Sequence, residues 1–330
     1  MNSNNKPFLL YPAAKDYLWG GNRINDDFGK NIDIQPLAET WECSTHSDGE
    51  SLVWSGEYKD LKLSEVIKKH PEYLGEHAQK INNGDLPILV KLIDAKENLS
   101  VQVHPDDEYA LVNENSLGKS EMWYVLSTKE NSKLIYGFNQ DVEDNQIRSS
   151  IDDGTIKKYL NYVPVKKDDV FFIEPGTVHA IGEGILVAEV QENSNVTYRL
   201  FDYDRIDKSG KKRPLHIEKA LNVIKHKMTE SPHQPMRVLK YRKGHASELL
   251  ARCKYFQVER IMLNTEICKE LFEFCTDINS FHVLLCIEGC GSISYSGENL
   301  NFFKGDCVFI PADSVLLRLH GKAQLLDVSC

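Results

Sequence analysis

Short runs of apolar residues recur along the chain, separated by Gly, Asp, Asn and Pro. The runs are rich in Val, Ile, Phe and Tyr, which β-strands favour. We predict strands at residues 51–54, 87–94, 100–103, 122–126, 133–136, 169–173, 186–191 and 197–201. The N-terminal and middle regions are therefore expected to be mainly β. The longest runs, at 86–90 and 283–287, are far shorter than the roughly 18 residues of a membrane-spanning segment.

Helical spacing of apolar residues occurs in four segments. It predicts helices over residues 64–74, 106–113 and 216–226, and one or two helical segments linked by turns over residues 141–160. We expect the helix over 141–160 to cover the sheets, and a role as a substrate lid is a hypothesis. Residues 227–247 contain two prolines and little apolar periodicity, so we place a linker there. The predicted domains are residues 1–240 and 241–330.

A weak internal repeat supports a division into two domains. Residues 167–179 (KDDVFFIEPGTVH) align without gaps with residues 304–316 (KGDCVFIPADSVL). The pattern of a turn, a strand and a Pro-containing bend resembles the second motif of the cupin superfamily, whose fold is a jelly roll. We predict a mainly β fold of two cupin-like jelly-roll domains with helical insertions. The first copy ends in His179 and the second in Leu316, so the second jelly roll is expected to be metal-free.

Composition and charge narrow the range of functions. The chain has 330 residues, of which 41% are hydrophobic and 27% are charged, and its net charge is −10. That charge argues against nucleic acid or an anionic membrane as a partner, but local basic residues can still bind a phosphorylated small molecule. Eight cysteines without a C-x-x-C pair indicate reduced thiols. The N-terminus lacks a secretion-signal pattern, so we expect a cytoplasmic protein, and no obligate protein partner is inferred.

Four residues beside predicted strands carry the side chains of a metal site. Gln102 and His104 lie two residues apart on one strand, so they project from the same face. Glu121 begins the next strand, and His179 follows a Pro-Gly bend. Two imidazoles and a carboxylate leave a position for water or substrate, as in catalytic zinc sites, but an iron(II) facial triad uses the same ligand types. For each residue taken alone, a hydrogen-bonded structural role is the alternative.

Several longer segments resemble the type I phosphomannose isomerases. Residues 86–107 (LPILVKLIDAKENLSVQVHPDD) are similar to the signature of that family. Further matches lie at residues 16–21, 38–46, 118–124, 175–184 and 189–202, so the similarity is collinear from about residue 10 to about residue 220. The overall length is typical of the short bacterial form.

The resemblance implies a zinc-dependent interconversion of mannose 6-phosphate and fructose 6-phosphate through a cis-enediol intermediate. It implies one zinc ion per chain at Gln102, His104, Glu121 and His179, a catalytic Arg199, and pocket positions for Lys119 and Glu189. Glu189 and Lys119 are alternative carriers of the transferred proton. Arg205, Lys91 and Ser44 are predicted to bind the phosphorylated hexose, and Trp19, Trp41 and His46 to wall the pocket.

Other readings of the same residues remain open at this point. An iron-dependent cupin dioxygenase would use a similar ligand set, although Gln102 is a poor ligand for iron. A non-catalytic sugar-binding cupin would keep the fold without turnover, although all proposed ligands are present. In the purely structural alternative, Glu189 would pair with Lys91 across a sheet, Lys119 would cap the helix region of Asp106, and Arg199 would be a surface residue of its strand.

Overall fold

The computed structural model describes residues 5–207, 210–230, 232 and 234–330, and most of its regular structure is antiparallel β-sheet. The strands are β1 (Phe8–Tyr11), β2 (Ala13–Lys15), β3 (Glu39–Cys43), β4 (Leu52–Val53), β5 (Ile88–Ala95), β6 (Val101–Val103), β7 (Glu121–Thr128), β8 (Lys133–Phe138), β9 (Leu160–Pro164), β10 (Val170–Ile173), β11 (His179–Ala180), β12 (Ile185–Glu192), β13 (Tyr198–Phe201), β14 (Lys240–Arg242), β15 (His245–Arg252), β16 (Gln257–Asn264), β17 (Phe272–Phe274), β18 (His282–Tyr295), β19 (Glu298–Phe303), β20 (Cys307–Ile310) and β21 (Leu317–Ser329). The helices are α1 (Arg23–Phe28), α2 (Leu63–Lys69), α3 (Glu76–Ile81), α4 (Asp107–Asn113), α5 (Asp144–Asp152), α6 (Ile217–Leu221) and α7 (Thr265–Cys268), with 3-10 turns at Pro71–Leu74 and Ile156–Lys158. The predicted mainly β architecture is confirmed.

All eight predicted strands are present, and β12 shows why an apolar run identifies a strand at the centre of a sheet. Strand β12 lies between β5 and β7, and every residue in it is buried. A central strand covered on both faces is apolar along much of its length, which is the pattern that residues 186–191 show. No helix in the described part of the chain is long and apolar enough to span a membrane.

Two of the predicted helical segments are interrupted by backbone constraints. Over residues 64–74, α2 ends before Pro71, since a proline disfavours helical backbone in the residue preceding it, and a 3-10 turn follows. Over residues 141–160, α5 and the 3-10 turn Ile156–Lys158 form two linked segments, as predicted, and Gly154 between them has a φ of 72° in the left-handed region. Of these two, only the prediction over 64–74 was too long as a single helix.

Of the other two predicted helices, one matches the structure and the other was predicted too long. Helix α4 matches the prediction over 106–113, and Asp106 caps it by accepting a hydrogen bond of 2.9 Å from the Tyr109 backbone N–H. Helix α6 covers only the first half of the prediction over 216–226. The predicted linker also ends early, because β14 begins at Lys240.

Two sheets enclose the interior of the first jelly roll. The strand order is β10-β7-β12-β5-β3-β2 in the six-stranded sheet and β13-β6-β11-β8-β9 in the five-stranded sheet. Ile147 and Ile151 of α5 pack with Val101 and Val178 in one hydrophobic core on the outer face of the five-stranded sheet. Helix α5 therefore covers the sheet from outside, and its role as a lid stays a hypothesis.

A third, ten-stranded sheet contains the C-terminal strands together with β1 and β4. Strand β1 pairs with β20 in the register Phe8↔Phe309, so the N-terminus completes the C-terminal sheet. The division of the chain at residue 240 stays a prediction, and this sheet crosses it. In the internal repeat, β10 and β20 occupy equivalent positions, each after a turn residue with positive φ, Asp168 at 72° and Gly305 at 98°.

Candidate metal and substrate site

Adjacent strands of the five-stranded sheet place polar side chains in one row. Gln102 of β6 is paired with His179 of β11 on one side and with Arg199 of β13 on the other. Residues paired across antiparallel strands project from the same face. The neighbour Val101 faces the opposite side, in the core beneath α5. The row of Gln102, His179 and Arg199 therefore faces the interior, and His104, two residues along β6 from Gln102, points the same way.

The six-stranded sheet contributes a second row. Glu189 of β12 lies opposite Lys91 of β5 and opposite Trp123 of β7. Glu121, two residues before Trp123, projects from the same face of β7. The ring centroids of Trp123 and His179 are 5.4 Å apart, so the two rows meet in the interior.

His104, Glu121 and His179 form a buried cluster where the rows meet. The two Nε2 atoms are 3.1 Å apart, and Glu121 Oε1 and Oε2 lie 3.3 Å and 3.6 Å from Nε2 of His104 and of His179, respectively. Nδ1 of each imidazole lies 2.8 Å from a backbone carbonyl, that of Val196 for His104 and that of Thr177 for His179. A carbonyl only accepts, so each Nδ1 donates and each Nε2 presents a lone pair to the cluster.

This donor set fits a divalent cation. Two Nε2 lone pairs and a carboxylate repel one another at these distances unless a cation lies between them. Neither Glu121 oxygen accepts a hydrogen bond from the described residues. Lys119 Nζ is 2.7 Å from Glu121 Oε1, so this contact is an ion pair outside hydrogen-bond geometry. His104, Glu121 and His179 would hold the metal, with imidazole and carboxylate donors that suit zinc and also iron.

The electrostatic environment keeps the side chains of the cluster in the protonation states that bind a metal. Burial and the Lys119 ammonium lower the pKa of His104 to about 3, and burial lowers the pKa of His179. Both imidazoles are therefore neutral near pH 7, the form that binds metals. Burial alone would raise the pKa of Glu121, but Lys119 and the imidazoles hold it well below its usual value. The cluster thus offers two neutral ligands and one anionic ligand.

A cavity of about 240 Å³ adjoins the cluster. Its lining carries four cationic side chains, two carboxylates and several neutral groups: Lys91, Lys119, Arg199, Arg213, Glu39, Glu189, Tyr17, Trp19, Ile93, Leu99, Ser100, Gln102, Trp123, Ile181, Asn195 and Thr197. The side-chain oxygen of Gln102 lies 3.5 Å from Ser100 Oγ, and direct ligation by Gln102 stays a prediction. The size and polarity of the cavity suit a small, charged, hydroxylated molecule.

Lys91 and Glu189 form a buried ion pair on the cavity wall. Lys91 Nζ donates to Glu189 Oε1 at 2.9 Å and to Gln191 Oε1 at 2.6 Å, and the Trp123 indole donates to Glu189 Oε2 at 2.7 Å. Burial opposes the charge of Lys91, but Glu189 and Glu39 raise its pKa above the usual value. The ion pair of the structural reading is therefore present, both side chains also line the cavity, and the catalytic role of Glu189 stays a prediction.

Arg199 faces the cavity from the opposite sheet. Its Nε donates to Ser100 Oγ at 3.2 Å and its Nη1 to the Pro214 carbonyl at 3.1 Å. The Arg199 backbone is held by His216, whose N–H donates to the Arg199 carbonyl at 2.8 Å. Both side-chain partners are neutral oxygens, so the positive charge of Arg199 is directed at the cavity rather than neutralised by them.

Four predicted pocket residues lie outside the cavity lining. Ser44 is buried and accepts a hydrogen bond of 3.1 Å from the His46 backbone N–H. Arg205 donates to Asp202 and to the Asn98 carbonyl. Trp41 and His46 pack edge to face, with ring centroids 5.8 Å apart. The structure therefore brings together the predicted Lys91, Gln102, His104, Lys119, Glu121, His179, Glu189, Arg199 and Trp19, but not these four.

Sequence reasoning missed two charged residues of the lining, Glu39 and Arg213. Glu39 accepts a hydrogen bond of 2.8 Å from the Trp41 indole, and burial raises its pKa. Strand alternation would have found it, since Glu39 lies two residues before Trp41 on the same strand. Arg213 lies in a loop, where no periodicity indicates the direction of a side chain.

Glu192 supports the backbone beside the metal cluster. The Ser120 backbone N–H donates to Glu192 Oε1 at 2.7 Å. Burial raises the pKa of Glu192 to about 8 from a usual 4.5, and the nearby negative charge of Asp107 contributes to raising the pKa of this carboxyl. The hydrogen bond from Tyr255 opposes the effect of burial and lowers the pKa of Asp107, so Asp107 titrates below that window.

The Glu192 carboxyl should make stability depend on pH. Because the folded state binds this proton more tightly, the free energy of unfolding should fall as pH rises from about 4.5 to about 8. Glu192→Gln removes the titration and keeps an oxygen that accepts from the Ser120 backbone N–H, so the variant should gain stability relative to the parent across this window. Urea unfolding at several pH values measures the difference, and parallel curves would contradict the assignment.

Comparisons of sequence identify relatives of the whole chain. A family profile described as phosphomannose isomerase type I, catalytic domain, matches residues 8–120, and one described as mannose-6-phosphate isomerase, cupin domain, matches residues 246–330. The mannose-6-phosphate isomerase ManA of Bacillus subtilis (strain 168) is 36% identical over 326 residues, which are 97% of this chain and 98% of that protein. A mannose-6-phosphate isomerase of Streptococcus mutans is 41% identical over 219 residues, 66% of this chain and 68% of that protein.

Solved structures agree with the sequence relatives. A crystal structure of the mannose 6-phosphate isomerase from Bacillus subtilis superposes with a TM-score of 0.88 at 34% identity, covering 98% of this chain and 99% of that chain. A phosphomannose isomerase variant from Salmonella typhimurium gives a TM-score of 0.77 at 16% identity, covering 98% of each chain, and shows the shared fold. Both superpositions extend over the jelly rolls described above.

Proposed function

This chain belongs to the type I phosphomannose isomerases, and on that basis we propose that it interconverts mannose 6-phosphate and fructose 6-phosphate with one bound zinc ion. The sequence-based predictions of the family and of the enzyme class are confirmed by the relatives. One observation carries the proposal: the buried cluster of His104, Glu121 and His179 lies beside a cavity lined by cationic side chains, and Lys119 contacts the cluster and lines the cavity. This arrangement combines a metal site with a place for an anionic substrate.

The proposed metal is zinc, held by His104, Glu121 and His179, with Gln102 as the fourth ligand. When bound, zinc acts as a Lewis acid that stabilises negative charge on the sugar oxygens at C1 and C2. One ion per chain is proposed, since the described residues contain a single such group of His, Cys, Asp and Glu. The exposed Leu316 at the equivalent position of the second repeat agrees with a metal-free second jelly roll.

The isomerisation requires a group that moves a proton between C2 and C1, through a cis-enediol. Two side chains of the lining are proposed for this step, Glu189 and Lys119. A carboxylate has about four lone-pair positions, so Glu189 can accept a proton while it is bound to Lys91 and Trp123. Lys119 Nζ lies 3.5 Å from His104 Nε2, at the metal end of the cavity. Buried walls on both sides limit water access to the reacting carbons.

Arg199 is proposed to bind either the phosphate or the developing enediolate. Its guanidinium is permanently charged and offers several donors in one plane, which suits an oxyanion better than proton transfer. Lys91 is proposed to contribute positive charge on the opposite wall. For Arg205 and Ser44, binding of the phosphorylated hexose stays a prediction that no contact with the cavity supports. The cytoplasm is the proposed location.

A coupled enzymatic assay tests the proposed activity. Purified protein with one zinc equivalent per chain should convert mannose 6-phosphate to fructose 6-phosphate. A chelator should lower the rate by about a thousandfold, since a Lewis-acid contribution of several kcal/mol is lost and each 1.36 kcal/mol is tenfold. Re-addition of zinc should restore the rate, and the chelated protein without re-addition is the control. Zinc-replete protein that fails to turn over this substrate would rule out the proposal.

A further inference from the structure

The strongest unassigned feature is the arginine-rich end of the cavity, and what it binds rests on the proposed function. Gln102 is paired with both His179 and Arg199, so these two residues lie two strand spacings apart. Each spacing is about 4.8 Å, which places the metal end and the arginine end roughly 10 Å apart at the backbone. An open-chain hexose 6-phosphate carries its carbonyl and its phosphate at opposite ends. In the same way, the metal end and the arginine end of the cavity are opposite each other.

Arg205 and Arg213 are the two candidates for a second phosphate ligand beside Arg199. Both donate to one buried carboxylate, that of Asp202. Arg205 uses Nε and Nη2 on Asp202 Oδ1, at 3.2 Å and 2.5 Å, and Nη1 on the Asn98 carbonyl at 2.6 Å. All three nitrogens of its guanidinium are therefore engaged, and Arg205 does not line the cavity.

Arg213 is held differently. Its Nε donates to Asp202 Oδ2 at 2.7 Å and its Nη2 to Asp202 Oδ1 at 2.6 Å. This two-point contact orients the guanidinium and leaves Nη1 without an acceptor among the described residues. Arg213 lines the cavity together with Arg199. The following residue, Pro214, accepts a hydrogen bond from Arg199 Nη1, so one loop segment places both arginines.

The charges at this end match a phosphate monoester. Arg205 and Arg213 share the single negative charge of Asp202, and Arg199 donates to neutral oxygens. These three arginines and one aspartate carry a net charge of about +2, and a phosphate monoester carries about −1.5 to −2 near pH 7. Burial, followed by the nearby Arg213, lowers the pKa of Arg199, as expected where cations crowd together. An anion entering here would relieve that repulsion.

We propose that Arg213, oriented by Asp202, is the guanidinium that binds the substrate phosphate together with Arg199. Asp202 acts as a positioning residue, because it fixes Arg213 and does not itself line the cavity. In this assignment Arg205 shares the charge of Asp202 and is not a substrate ligand, so Arg213 replaces the Arg205 that the sequence predicted. A loop arginine thus sets the preference of the enzyme for phosphorylated sugars.

Binding of inorganic phosphate to the zinc-loaded protein, measured by calorimetry, tests the proposal without turnover. Arg213→Gln should weaken this binding by about 10- to 100-fold, the loss expected for one or two charge-assisted hydrogen bonds. The KM for mannose 6-phosphate should rise by a similar factor. Arg213→Lys keeps the positive charge but lacks the planar guanidinium with its several donors. This variant should recover part of the lost phosphate affinity.

Arg23→Gln is the matched control. Arg23 also binds a buried aspartate, Asp94, through Nε at 2.7 Å, and its side chain is 27% exposed, against 25% for Arg213. Arg23 does not line the cavity, so its variant should bind phosphate within about twofold of the parent. The Arg213 variants should keep a cooperative melting transition, since Arg205 still neutralises Asp202.

Two results would overturn the assignment of Arg213. Unchanged phosphate affinity in Arg213→Gln would do so, and so would a larger loss in Arg205→Gln than in Arg213→Gln. Measurements on the parent enzyme distinguish a failure of this proposal from a failure of the proposed function on which it rests. If the zinc-loaded parent binds phosphate through Arg213 but does not isomerise mannose 6-phosphate, the proposed function fails and the anion site stands. If the parent isomerises and Arg213→Gln binds phosphate normally, only the assignment of Arg213 fails.

Discussion

Replacing His179 with alanine is expected to remove the bound zinc and the isomerase activity together. His179 is fully buried, and its Nε2 lies 3.1 Å from that of His104 and 3.6 Å from Glu121. Without it, His104 and Glu121 are the remaining members of the cluster. Loss of a Lewis acid worth several kcal/mol should lower kcat by about a thousandfold or more. Elemental analysis for zinc and the coupled assay, run on the same preparation, measure both effects.

Leu316→Ala is the matched control for His179→Ala. Leu316 occupies the equivalent position of the second repeat and is 45% exposed, so its replacement should leave zinc content and turnover at parental values. Melting curves of both variants separate loss of metal from loss of fold. A variant without His179 that keeps one zinc per chain and full activity would exclude this residue as a ligand.

Arg199→Ala is expected to keep zinc and lose most turnover. The side chain lines the cavity but belongs to the strand next to Gln102, and it does not contact the metal cluster. Two charge-assisted hydrogen bonds to substrate, each worth about 1.5–3 kcal/mol, correspond to a fall of about 10²- to 10⁴-fold in kcat/KM. Steady-state kinetics and zinc analysis on one preparation give the two readouts.

Arg199→Lys helps to interpret that result. Lysine keeps the charge but lacks the planar fork, so it should recover only part of the lost kcat/KM. Metal loss in Arg199→Ala would instead assign Arg199 a structural role, in which its contacts with Ser100 and Pro214 hold β13 against β6. Equal activity of the alanine variant and the parent would remove Arg199 from the substrate site.

Strand periodicity explains how much of the site was predictable. Gln102 and His104 share a face because they are two residues apart, and the structure places both toward the interior as expected. Central strands such as β12 were found because burial on both faces requires apolar residues along their length. The pairing of distant strands has no local signal, and there the prediction relied on the family resemblance.

Where predicted pocket residues lie outside the cavity lining, or lining residues were missed, the reasons are local and physical. Strand β3 changes register between Trp41 and Cys43, and an irregularity of this kind alters which side chains face the interior beyond it. Ser44 follows that irregularity and lies outside the cavity. Arg205 and Arg213 are both basic loop residues, and only the hydrogen bonds of Asp202 decide which one faces the cavity. Loop side chains of this kind cannot be placed by hydrophobic patterning.

The pairing of β1 with β20 has a consequence for biosynthesis. Strand β1 is made long before β20, and Asn5 Nδ2 donates to the Ala312 carbonyl at a separation of 307 positions along the chain. Contacts of such long sequence separation slow folding, because the loop entropy is lost before the contacts form. Until β20 is made, β1 can pair with the two-residue strand β4 but lacks its partner on the other side. The apolar residues of β1 are therefore prone to aggregation until the C-terminal strands are made, and chaperones can protect them during that interval.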